Sequence, residues 1–145
     1  VVVDDGFERE AKNRLARIGF DRVTGFLHFP LIVMADNPDR VVRASRLTAS
    51  EFAARRNDID GLQLVDIRNP GEVEHGTIPG ASTIAVGQLP GRLDELDPTA
   101  PTVVYCAGGY RSSVAASVLR QAGFDDVSDI IGGYGAWTEA QSASA

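Results

Sequence analysis

The chain has 145 residues, 43% hydrophobic and 23% charged, with a formal net charge of -6 at pH 7. That length suits one domain, alone or with a short extra piece, and the acidic balance argues against nucleic acid or an anionic membrane as partner. A single cysteine excludes an internal disulfide, two histidines are too few for a structural zinc site, and no apolar run nears the roughly 18 residues that span a bilayer. The expected setting is cytoplasmic.

The opening VVVDD is β-branched and reads as a short strand, without the basic flank or length of a signal peptide. FEREAKNRLARIGF reads as a helix, with Phe7, Ala11, Leu15 and Ile18 on one stripe and Gly19 as its stop. RVTGFLHF returns to strand character, and PLIVMADNPDRVVRAS, broken by prolines, reads as a linker. From Arg46 the pattern tightens. RLTASEFAARR is a helix capped by Thr48, with Glu51 completing a capping box. LQLVDIR is an apolar run without alternation, as in a strand covered on both faces. NPGEVEHGTIPGAS, with two Pro-Gly breaks, reads as an irregular loop. LPGRLDEL follows as a short helix and TVVYC as a second buried strand. SSVAASVLRQAGF is then a helix closed by Gly123, DVSDII a strand, and GYGAWTEA a last helix before a frayed QSASA tail. Strands alternating with helices predict a parallel sheet with helices on both faces.

In such a sheet, ligands bind beyond the carboxyl ends of the strands. Cys106 stands at such an end. After it, Gly108 and Gly109 open backbone angles closed to other residues, so successive amides can curl into a nest. A helix starting near Arg111 or Ser112 turns unpaired amides and its positive dipole end to the same spot, and Arg111 adds a permanent cation. All three favour thiolate over thiol, and the thiolate is the nucleophile. A lone cysteine after an apolar strand is more often a small buried hydrophobe. Such a residue, however, gains nothing from a glycine turn closed by an arginine.

CAGGYRS resembles the active-site loop of the rhodanese (sulfurtransferase) family. LVDIRNPGEVEHGTIPGA is similar to that family's Asp-x-Arg segment and Ile-Pro-Gly-Ala turn, carried here by Asp66, Arg68 and Ile78 to Ala81. IIGGYGAW is similar to its Gly-Gly-aromatic-x-x-Trp element, carried by Gly132, Gly133, Tyr134 and Trp137. The pattern departs at Val73, where the family usually has an aromatic. It departs also at Thr77, where it often has histidine, with His75 two positions earlier. The resemblance implies a rhodanese-like α/β fold, a central five-stranded parallel sheet flanked by helices on both faces. It also implies a double displacement. Cys106 takes the outer sulfur of a small anionic donor, thiosulfate or a low-molecular-weight persulfide, and passes it to a thiol or cyanide acceptor. The intermediate is a covalent persulfide on Cys106, with no metal and no other cofactor. Cys106 and Arg111 are then the catalytic pair, Arg111 drawing in the donor. Ala107, Gly108, Gly109, Tyr110 and Ser112 form the substrate-binding loop. Asp66 and Arg68, two apart at a strand end, read as a structural salt bridge near the site. His75 reads as a solvated loop residue, and Trp137 as core.

Two rivals follow from the same residues. Arsenate reductases and related phosphatases also close a cysteine loop with arginine, but with five intervening residues where this chain has Ala107 to Tyr110. Rhodanese-like folds also serve as non-catalytic binding modules. The expected domains are residues 1–40, with a linker, and a rhodanese domain over 41–145. RLARIGFDRVTGFL resembles the closing helix and strand of another, inactive rhodanese-like domain. Together with YCAGGYRSS it is similar to the C-terminal part of metallo-β-lactamase–rhodanese fusion proteins. That resemblance implies a fused or separate persulfide dioxygenase domain of the metallo-β-lactamase type as partner, the present chain being a fragment or a shortened relative. The metal-binding histidine motif of those enzymes is absent, so dioxygenase activity does not carry over. A half-domain is expected to leave apolar helix surface uncovered.

Overall fold

The computed structural model describes residues 1–41 and 43–143, and the chain divides into two compact units, Val1–Arg43 and Ala44–Ala145. The first unit holds α1 (Glu8–Ala16), α2 (Pro30–Asp36) and a 3-10 turn at Pro38–Arg40. The predicted stripe on α1 is only partly covered: Ala11 is buried, Leu15 and Ile18 are half-buried, and Phe7 is 57% exposed. Gly19, at φ +92°, stops the helix as expected.

Two expected strands in this unit are corrected. VVVDD and RVTGFLHF are irregular. They exchange backbone bonds at Val1, whose ammonium donates to Gly25 O at 2.8 Å and whose carbonyl accepts from Leu27 N–H at 2.9 Å. A β-branched run becomes a strand only against a sheet that completes its ladder and covers its face. The expected linker is corrected as well, because PLIVMAD is α2. Pro30 stands in its first turn, where a fixed φ is pre-set for the helix and an N–H is not needed.

The second unit runs β1 (Ser45–Leu47), α3 (Ala49–Arg55), β2 (Gln63–Asp66), α4 (Pro70–Val73), β3 (Ser82–Thr83), β4 (Thr102–Tyr105), α5 (Tyr110–Gln121), β5 (Val127–Ile130) and α6 (Gly133–Ala143). The sheet has five strands in the order β1-β5-β4-β2-β3, all neighbours parallel, with helices flanking it as expected. Thr48 and Glu51 form the predicted capping box, Glu51 N–H donating to Thr48 Oγ1 at 3.2 Å. β1 is too short to show a period. It is pinned at the sheet edge by Arg46, whose guanidinium donates to the buried Asp129 carboxylate at 2.8 and 3.0 Å. NPGEVEHGTIPGAS, expected to be irregular, contains α4 and ends on Ser82, the first residue of β3. LPGRLDEL, expected to be one helix, is two 3-10 turns, Leu89–Gly91 and Leu93–Glu95, with Pro90 in the first. The predicted frayed tail continues α6 as far as Ala143, and its last residues, Ser144 and Ala145, lie outside the described ones.

The core follows from strand periodicity. Val103 and Tyr105 of β4 join Phe52 of α3 and Trp137 of α6 in one buried cluster with Leu64, Ile78 and Ile130. The Phe52 and Trp137 rings lie 5.7 Å apart, so Trp137 is core. Alternate residues point the other way, where Val104 is buried and α5 packs with Ala115, Ala116 and Leu119. Each of the larger aliphatic side chains and Phe52 contributes about 1.5–3 kcal/mol by leaving water. The two faces hold β4 rigidly, and with it the residue at its carboxyl end.

Candidate active site around Cys106

Cys106 follows β4 and is 1% exposed. Behind it the chain turns through Ala107 and Gly108 to Gly109, which caps α5 at φ +90°. That left-handed conformation is open to glycine, and a Cβ there would stand 3.0 Å from Gly132 N. It aims the Gly109 N–H at Cys106 Sγ, at 3.1 Å. The thiol donates to Ser112 Oγ at 3.7 Å, and that hydroxyl donates to Gly109 O at 3.1 Å. The N-cap of α5 is a glycine, which puts no capping side chain over the helix start, and the positive end of the helix dipole there favours an anion. The helix starts at Tyr110, slightly before the expected Arg111 or Ser112.

The loop's carbonyls are turned outward. Tyr134 N–H donates to Cys106 O at 2.7 Å, and Gly135 N–H to Ala107 O at 3.1 Å. Because a trans peptide sets its N–H opposite its C=O, the amides of Ala107 and Gly108 point away from α6. The close approach depends on Gly133, at φ +59°, where a Cβ would lie 2.1 Å from Cys106 O. The Gly-Gly pair of IIGGYGAW therefore spaces α6 against the cysteine loop.

Arg111 supplies the permanent cation expected at the close of the loop, and its Nη1 and Nη2 donate to the Glu72 carboxylate at 2.6 Å each. Hydrogen bonding from Arg111 holds the Glu72 carboxyl below its ordinary range. Hydrogen bonding to Glu72 in turn keeps Arg111 above its own, and the nearby Cys106 adds a smaller push in the same direction. The sequence reading missed Glu72. Its legible signal was an Asn69-x-x-Glu72 capping box on α4, which is present, but a cap does not reveal that the same carboxylate reaches α5.

Asp66 and Arg68 form the expected buried salt bridge, Arg68 Nη2 donating to Asp66 Oδ2 at 2.6 Å. The guanidinium also donates to Gly76 O at 2.7 Å and Glu72 O at 3.3 Å, and it lies 4.1 Å from the centroid of the Tyr134 ring. It thus braces both arms of the site, the α4 loop that carries Glu72 and the start of α6 that holds the cysteine loop. Thr77 joins this network, donating to Asp66 at 3.1 Å, with its hydroxyl 2.6 Å from that of Tyr105. Burial pushes the Tyr105 hydroxyl up to about 12, so it remains protonated and available as a donor. Tyr110, Ala107 and Gly108 are exposed. His75 is exposed and bonded locally, its Nδ1 2.9 Å from Gly71 O. Among the described residues, no helix is long and apolar enough to cross a membrane.

The family model described as "Rhodanese-like domain" matches residues 48–140. A protein named "Sulfurtransferase" from Allochromatium vinosum is 33% identical over 93 residues, covering 64% of this chain and 87% of its own. The "Thiosulfate sulfurtransferase GlpE" of Shewanella oneidensis is 38% identical over 81 residues, covering 56% of this chain and 80% of its own. Among solved structures, a Rhodopseudomonas palustris protein of unknown function, described as a possible tyrosine phosphatase, superposes with a TM-score of 0.61 at 29% identity. That superposition covers 82% of this chain and 93% of that one. The family match spans α3, the strands β2 to β5, the cysteine loop and most of α6, and on it the chain belongs to the rhodanese-like domain family.

Proposed function

We propose that this protein is a sulfurtransferase that carries a sulfane sulfur on Cys106. The Cys106 thiolate attacks the outer sulfur of the donor. With thiosulfate, the new S–S bond forms as the old one breaks, and the electron pair of the old bond leaves with sulfite. Cyanide or a thiolate then attacks the outer sulfur of the Cys106 persulfide, and that S–S pair returns to Cys106. Cyanide departs as thiocyanate. The observation that carries this reading is the Gly109 N–H held on Cys106 Sγ at the mouth of a helix that no side chain caps. Fixed dipoles in a site nearly closed to water stabilise a sulfur anion without reorganising. The names of the Allochromatium and Shewanella relatives support it. A cytoplasmic setting suits a free thiol of this kind. A metallo-β-lactamase-type persulfide dioxygenase, fused or separate, is the proposed partner, on the resemblance carried by residues 1–40.

The phosphatase reading has the Rhodopseudomonas description in its favour. Against it, the loop is one residue shorter than a phosphatase cradle, and the arginine that would grip phosphate is paired with a carboxylate. Steady-state assays decide between them. Thiocyanate formation from thiosulfate and cyanide, abolished in Cys106→Ser, is expected. Phosphate release from an aryl phosphate without thiocyanate formation would reverse the assignment, and neither activity would make the fold a binding module.

A further inference from the structure

Arg111, the cation that closes the cysteine loop, is already matched by an anion, and the match is built in from both sides. Arg111 meets Glu72 fork to fork, through two charge-assisted hydrogen bonds of 2.6 Å. Glu72 is held independently of Arg111. Its Oε2 accepts the Asn69 N–H at 3.1 Å, and its backbone carbonyl accepts from Arg68. The pair is partly buried, with Arg111 17% and Glu72 35% exposed, so solvent screens it less than a surface pair. A donor arriving at Cys106 therefore meets backbone amides and a neutralised arginine. A dianion that recruits Arg111 must displace Glu72 and then sit beside its carboxylate. A donor with one charge or none at its reacting end loses neither contact.

Resting on the sulfur-transfer reading, we infer that Glu72 is a positioning residue that sets donor selectivity through Arg111, so the site takes low-charge sulfane donors, persulfides above all, ahead of dianionic thiosulfate. The step balances for a persulfide. The Cys106 thiolate takes the outer sulfur of R–S–S⁻, the S–S bond breaks, and its electron pair leaves as the thiolate R–S⁻.

The test uses the full chain with cyanide as acceptor and three donors: thiosulfate, methanethiosulfonate and 2-hydroxyethyl persulfide. Methanethiosulfonate offers a similar sulfane sulfur with one charge fewer and releases methanesulfinate. Each kcat/KM is divided by the rate of that donor with a simple thiol in solution, which removes intrinsic reactivity. Wild type is expected to prefer both low-charge donors. Glu72→Gln, which keeps the shape and one acceptor oxygen, is expected to shrink that preference about tenfold, mainly through KM for thiosulfate. Glu72→Asp, which keeps the charge, is expected to retain it. The wild-type comparison stands even if a variant does not fold. An absent preference in wild type, or an equal loss on all donors in Glu72→Gln, overturns the role of Glu72. No turnover of any donor by wild type overturns the sulfur-transfer reading itself, and this inference with it.

Discussion

Residues 1–43 and 44–143 draw on the same apolar residue types and treat them differently. In the first unit, Ala11 is the buried hydrophobic residue among those described, while Leu31 is 79% exposed and Phe7, Phe26, Phe29 and Ile32 are also open to solvent. In the second, Phe52, Ile67, Val104 and Leu119 are wholly buried. The three valines at the N-terminus form no strand, whereas Val103 and Val104 lie in a strand between β2 and β5. A core forms where a sheet offers two faces for helices to cover, and reactive groups are positioned accurately where such a core holds their backbone.

Substitutions can break or sharpen this contrast, beginning with the largest effect. Phe52→Ala, at the centre of the α3–α6 cluster, should cost about 3–5 kcal/mol in denaturant unfolding. A cost below about 1 kcal/mol would mean the cluster is not the core of its unit. Gly133→Ala drives a methyl group into the Cys106 carbonyl and forces a side chain into the left-handed region. It should cost about 2 kcal/mol or more and remove most sulfur transfer, since α6 can no longer hold the cysteine loop. Full activity in that variant would separate the loop from α6. A smaller effect is expected of acid. Because Arg111 depresses the Glu72 carboxyl, the pair contributes stability above the ordinary glutamate value of about 4.3 and loses it as pH falls through the lower folded value. Thermal midpoints of wild type and Glu72→Gln should differ by a constant amount at neutral pH and converge in acid. Smallest of all is Phe7→Ala, expected within about 0.5 kcal/mol of wild type because the ring is exposed.

The parts of the fold legible in the sequence were those written locally. The Thr48–Glu51 cap, the dense runs that became β2, β4 and β5, and the glycine stops at Gly19 and Gly123 each announce themselves within a few residues. β1 and β3 did not, because two or three residues at a sheet edge carry no period and exist through their neighbours. VVVDD and RVTGFLHF erred in the opposite direction, having strand composition without a ladder to join. The cysteine loop was legible because glycine pairs and a closing arginine are costly without a purpose. Glu72 was not, since its two roles, capping α4 and pairing Arg111 on α5, are separated by 39 residues of chain and met only when the sheet formed. The roles of Gly133 and Tyr134 were likewise hidden. The motif was visible, but not the carbonyls of Cys106 and Ala107 that it holds.

The most direct test is the intact mass of the protein after brief exposure to a persulfide donor and removal of excess reagent. One added sulfur atom, located on Cys106, lost on treatment with cyanide and absent from Cys106→Ser, is the predicted result. An unchanged mass in the folded wild type, or an adduct that cyanide does not remove, would contradict the claim that amides around Cys106 hold a transferable sulfur.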